Sequence, residues 1–124
     1  MKIAINKCYG GFSLNNEAAK LLKEKGVKIT FNGEYYSDGS GPKETYGHEE
    51  SHHLSNENFG INNDENYDAW RVDERLIEVI EKLGEENVGT RLSRIRIKEI
   101  PDDVEWYIDD YDGIETIHEA HRSW

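Results

Sequence analysis

The sequence predicts a small α/β (α+β) domain with a mixed β-sheet, two main helices, a long aromatic-rich loop and a C-terminal β-hairpin. Three observations carry that expectation. The chain opens on an apolar strand that runs into Gly10-Gly11 and then into an amphipathic stretch. Residues 73–83 repeat the helical pattern between an aspartate and a glycine. Residues 93–100 alternate apolar and polar positions, and after a turn at 101–103 residues 104–108 do so again ahead of the hairpin signal Asp112-Gly113.

Residues 2–7 read as a short buried strand. Ser13 can cap the helix that follows, whose Leu14, Ala18, Leu21 and Leu22 share one face, with Lys23 and Lys25 in its last turn and Gly26 as its stop. Residues 27–31 then read as a second strand, which makes 1–31 a β-α-β unit. Over 32–70 the periodicity is lost. Asn and Gly are frequent there, Leu54 and Ile61 are the only large aliphatics, and Tyr35, Tyr36, Tyr46, Phe59, Tyr67 and Trp70 are spread through it. A loop of that length is unusual in a compact domain, and its aromatics set it apart from a disordered linker. It reads as a lid, as an arm packing on another subunit, or as a surface insertion.

The rest, 71–124, is a helix–strand–hairpin unit. Asp73 caps a helix with Leu76, Ile77, Ile80 and Leu83 inward and Gly84 at its end. Ile95 and Ile97 fall on one face of a strand, Arg94, Arg96 and Lys98 on the other. Pro101-Asp102-Asp103 turns the chain, Val104, Trp106 and Ile108 alternate, and Asp112-Gly113 closes a hairpin that sets Ile108 opposite Ile117. A helix over 114–124 is the alternative.

The 124 residues carry a net charge of −11, from 26 acidic and 15 Lys+Arg side chains. That field opposes nonspecific binding to DNA or RNA polymers and to anionic membranes. It fits a domain kept soluble by repulsion or a mimic of nucleic-acid charge. Cys8 is the only cysteine, so no internal disulfide forms, and a cytoplasmic setting is the expectation. No apolar run is long enough to span a bilayer.

His48-Glu49-Glu50-Ser51-His52 matches HExxH, but a glycine precedes it, an Asn-rich stretch follows, and no apolar helix carries it. His118 and His121 share a face only on a helix. Cys8 follows the first strand just before Gly10-Gly11, but a Cys–His nucleophile needs a partner that the sequence does not place. No catalytic residue, metal or cofactor is therefore expected. The better candidate is a composite anion pocket, because an acidic chain must gather its few cations where an anion binds. Lys7, Arg71 and Arg122 are the cations, and the backbone N–H groups of Gly10, Gly11, Phe12 and Ser13 lie at the expected helix start. Tyr9, Phe12, Trp106 and Trp124 are aromatics able to stack a base.

The segments MKIAINKCYGGFSL, WRVDERLIEVIEKLG and IPDDVEWYIDDYDGIETIHEAHRSW resemble a family of small bacteriophage and prophage proteins, similar to the phage sponge proteins (anti-CBASS, anti-Thoeris) that sequester cyclic-nucleotide signals of bacterial defence. The resemblance covers both ends of the chain and leaves 32–67 outside. It implies a homo-oligomer, a tetramer being one form, that holds a cyclic nucleotide without cleaving it in the cytoplasm of an infected bacterium. The opening also resembles that of ribose-5-phosphate isomerase B. The chain departs from that family where Lys7-Cys8-Tyr9 replaces its Asp-His pair, and it lacks the family's glycine-rich phosphate loop. Two other readings stand beside the sponge: an acidic inhibitor of a host nucleic-acid-binding protein, and a small enzyme acting on nucleotides or sugar phosphates.

Overall fold

The computed structural model describes residues 1–29, 51–62 and 66–119. It is a mixed α+β arrangement of two helices and two antiparallel two-stranded ladders. Strand β1 (Lys2–Asn6) pairs with β2 (Ile95–Glu99), and β3 (Trp106–Tyr111) pairs with β4 (Ile114–Glu119). Helix α1 (Asn16–Glu24) follows β1, and α2 (Glu74–Leu83) precedes β2.

Helix α1 starts later than expected. Its cap is Asn15, whose side chain accepts from Ala18 N–H, whereas Ser13 is buried and its hydroxyl meets that of Thr90 at 3.1 Å. Leu14 is held outside the helix by two backbone hydrogen bonds with His52, so the helix N-terminus lies a bridge away from Gly10-Gly11. At the other end Gly26 takes φ +94°, which lets the chain leave the helix where an L side chain would be strained. Helix α2 matches expectation. Asp73 accepts from Arg75 N–H, Leu76, Ile77, Val79 and Ile80 are buried, and Gly84 ends it. Each such side chain contributes about 1.5–3 kcal/mol on burial, so this face alone anchors the core.

The strand expected over 27–31 does not form in its described part. Lys28 instead exchanges backbone and side-chain hydrogen bonds with Asn58 (2.9 and 2.7 Å), which satisfies its N–H and C=O without a ladder. The described part of the long loop packs into the core. Phe59, Trp70, Asn56 and His52 are buried, and Phe59 stacks on Trp70 at 5.6 Å. Asn56 ties the two stretches together, donating to Asn66 C=O and accepting from Trp70 N–H. Tyr67 is exposed; Tyr35, Tyr36 and Tyr46 lie outside the described residues.

The hairpin register is the one expected, with Ile108 opposite Ile117. Asp112 and Gly113 both have positive φ (52° and 87°), the two-residue turn that matches strand twist. Residues 114–119 are strand, not helix.

Candidate functional site

Of the residues expected to hold an anion, Lys7, Arg71, Phe12 and the Gly10-Gly11 turn are neighbours in space. The anion there is the chain's own. Glu115 on β4 reaches the end of β1, where its carboxylate takes two hydrogen bonds from the Arg71 guanidinium, both 2.7 Å, and one from Asn6 N–H at 2.7 Å. Both side chains of the pair are about 5% exposed. The guanidinium sits over the Phe12 ring at 4.2 Å and the Trp70 ring at 4.5 Å, so its charge is shared between a carboxylate and two π faces. Arg71 Nη1 also donates to Ala4 C=O, while Nε is buried with no hydrogen-bond partner. Asp68 lies beside this pair, and burial pushes its carboxyl above the usual range, partly offset by the Arg71 charge.

Other expected site residues serve the same dock. Lys7 Nζ donates to Glu115 C=O at 2.8 Å. The fully buried Asn6 donates to Gly113 C=O and Cys8 C=O. The glycines admit protein backbone. A Cβ at Gly113 would lie 2.6 Å from Gly11 N and Tyr9 O, and one at Gly10 would lie 2.6 Å from Leu92 O. Gly10 N–H is spent on Leu92 C=O. Thus Arg71, Lys7, Gly11 and Phe12 form an internal dock for the hairpin, Gly10 is seated on Leu92, and Arg71 is closed to a ligand. Tyr9 remains 69% exposed. Trp106 is half-buried at the far end of β3, about 20 Å of strand away from the Gly113 turn. Arg122 and Trp124 lie outside the described residues.

A second, open feature adjoins this dock. Where β1 leaves the ladder, Lys7 N–H and Gly10 N–H continue pairing onto Arg94 C=O and Leu92 C=O. This zips Cys8 to the segment before β2. There a cleft of about 410 Å³ opens, lined by Arg91, Arg94 and Arg96 together with Glu85 and Glu86 from the turn after α2. Its floor is rigid. Ser93 Oγ donates to Ser13 C=O (2.7 Å) and accepts from Thr90 N–H (2.7 Å), and Gly89 passes so close to Ser93 C=O that a Cβ there would lie 2.6 Å away. The Thr90 hydroxyl is engaged by Ser13 and Ser93. Both floor hydroxyls are thus committed to the fold.

The sequence reading missed this cation cluster. The signal was present in R-x-x-R-x-R over 91–96 and in the alternation that set Arg94 and Arg96 on one face. Nothing local revealed that Glu85, Glu86 and Cys8 would face it. His52, the described part of the HExxH match, is buried with Nε2 2.8 Å from Asn16 Oδ1; positions 48–50 lie outside the described residues. His118 stacks on Tyr107 on the exposed hairpin face, and His121 is outside the description. Among the described residues no group of three or more His, Cys, Asp or Glu is placed to hold a metal ion, and no helix is long and apolar enough to cross a membrane. Comparison of the chain with protein families, with curated proteins and with solved structures finds no match in any of the three.

Proposed function

We propose that this protein sequesters a cyclic-nucleotide signal of bacterial defence without cleaving it, holding the phosphates on the arginines of the open cleft. The observation that carries the reading is the gathering of Arg91, Arg94 and Arg96 on one 410 Å³ cleft in a chain of net charge −11. With Glu85 and Glu86 in the same lining the cleft carries more positive than negative side chains, a local excess that favours an anionic ligand against a repelling whole. The volume lies in the range of small-molecule sites. The commitment of the Thr90 and Ser93 hydroxyls to the fold favours holding over chemistry. The resemblance of the chain's two ends to phage sponge proteins supports the biological setting and the homo-oligomeric assembly, a tetramer included. A sponge acts by mass action, so affinity and slow release matter and turnover does not.

The test is a thermal-shift screen against cyclic di- and trinucleotides, cyclic ADP-ribose isomers and linear controls, with bound ligand recovered and weighed. A shift with intact ligand, abolished by Arg94→Ala, is expected. Recovery of an altered ligand overturns sequestration in favour of an enzyme, for which Cys8 on the cleft wall is the group to replace first.

A second reading has its own observation. The hairpin exposes Asp109, Asp110 and Asp112 near its turn. This suits an inhibitor that docks on a host nucleic-acid-binding protein, with affinity that falls as salt rises.

A further inference from the structure

The lining of the cleft carries both signs of charge. No ion pair joins Glu85 or Glu86 to Arg94 or Arg96, although all four line one cavity. Glu85 is also fixed in direction. Its Oε2 accepts Ile97 N–H at 2.6 Å, which pins the carboxylate to the edge of β2 and leaves Oε1 available. Glu86 beside it is exposed. A ligand that engages the arginines and the glutamates together must carry an anionic group and also present hydrogen-bond donors, because ionised carboxylates only accept. A bare polyphosphate fails this condition, since it offers the glutamates no donor and its charge is repelled by theirs.

Among nucleobases, guanine alone offers two adjacent N–H donors, N1–H and the 2-amino group, on one edge. Adenine presents its N1 acceptor there, which a carboxylate repels, and cytosine and uracil each present one donor. Resting on the reading of this cleft as a nucleotide site, we infer that it selects a guanine nucleotide, with phosphate on Arg94 and Arg96 and the guanine edge on Glu85 and Glu86. The selection rests on hydrogen-bond complementarity, since only the guanine edge donates twice to carboxylates that can only accept.

The test is calorimetric titration of the full chain with GDP, ADP, CDP and UDP, repeated with guanosine and with pyrophosphate. GDP is expected to bind at least tenfold more tightly than the other three, and Arg94→Ala to weaken every nucleotide at least tenfold. The pair Glu85→Gln/Glu86→Gln is expected to bring GDP down to the level of ADP. Should loss of the Ile97 contact unfold that variant, Glu86→Gln alone, at an exposed site, is expected to lower the GDP-to-ADP ratio at least threefold. Equal binding of GDP and ADP overturns guanine selection and leaves the nucleotide site standing. Binding of no nucleotide, by a chain whose melting is otherwise normal, overturns both.

Discussion

The helical half of the molecule and the hairpin are held by different forces. Around α1 and α2 the contacts are apolar: Leu14, Ala18, Leu22, Leu76, Val79, Ile80 and Val88 are fully buried in one cluster with Phe59 and Trp70. The hairpin contributes none of its side chains to that cluster. Trp106, Ile108, Ile114 and Ile117 are only half-buried, and its one buried side chain is Glu115. It is fastened instead by the Arg71–Glu115 pair, by Asn6, by Lys7 and by the close seat of Gly113 on Gly11. A truncation in the apolar core and the loss of one ion-pair partner each cost several kcal/mol, but the core spreads its contacts over many side chains while the hairpin hangs on a few polar ones. The hairpin is therefore the part of the fold that depends on the fewest groups.

The sharpest way to break that comparison is Glu115→Ala. It leaves the Arg71 charge buried between two rings, at a cost of about 3–5 kcal/mol, measured by urea unfolding. Hydrogen exchange is expected to place the loss first in residues 106–119, with α1 and α2 amides still protected at low denaturant. Uniform loss of protection would show that the two regions are one cooperative unit. Acetate should restore part of the stability, because the vacated site keeps the Arg71 fork and the Asn6 N–H. Replacing both partners, Arg71→Met with Glu115→Leu, is expected to recover most of the loss, as apolar substitutes of buried pairs do.

Gly113→Ala comes next. Here φ is +87° and the new methyl would meet main-chain atoms at 2.6 Å, so backbone must move. A loss of about 1–3 kcal/mol is expected, again read first in the hairpin. If the variant keeps its hairpin protected, the seat on Gly11 is not what holds it, and the polar fastening alone must suffice.

The same comparison explains what the sequence made legible. Periodicity and capping rules reach a few residues along the chain, and they located α2 with both its ends, the β2 alternation and the hairpin turn with its register. Even the neighbourhood of Lys7, Gly10, Gly11, Phe12 and Arg71 was read together. Its occupant was not, because Glu115 is one of 26 acids and nothing local marks it as the buried one. The partner of β1 was missed for the same reason. A β-α start suggests a parallel return, but Asn58 satisfies Lys28 and the ladder is completed from far along the chain by β2. The arginine cleft depends on three segments meeting: the Cys8 turn, the turn after α2, and the run into β2. No single window of sequence contains that meeting.

The smallest expected effect probes the edge between the two regions, where two aspartates titrate in opposite senses. Asp68 is raised chiefly by burial, with the Glu115 charge adding to it and Arg71 opposing. Its folded pKa exceeds its unfolded one, so its ionised form costs stability, and that cost appears as pH rises through the interval between the two. Asp73 is lowered, first by its hydrogen bond from the Arg75 side chain, and so contributes stability above its unfolded pKa that is lost as pH falls through the folded one. Asp68→Asn should therefore raise the melting temperature slightly at neutral pH, with the gain vanishing below the ordinary aspartate range. Asp73→Asn should lower it at neutral pH, with the difference shrinking in acid. Melting curves from pH 3 to 8 on both variants check the signs. If Asp68→Asn destabilises at neutral pH, its carboxylate belongs to the polar fastening as a second counter-charge to Arg71, and the hairpin dock is a triad rather than a pair.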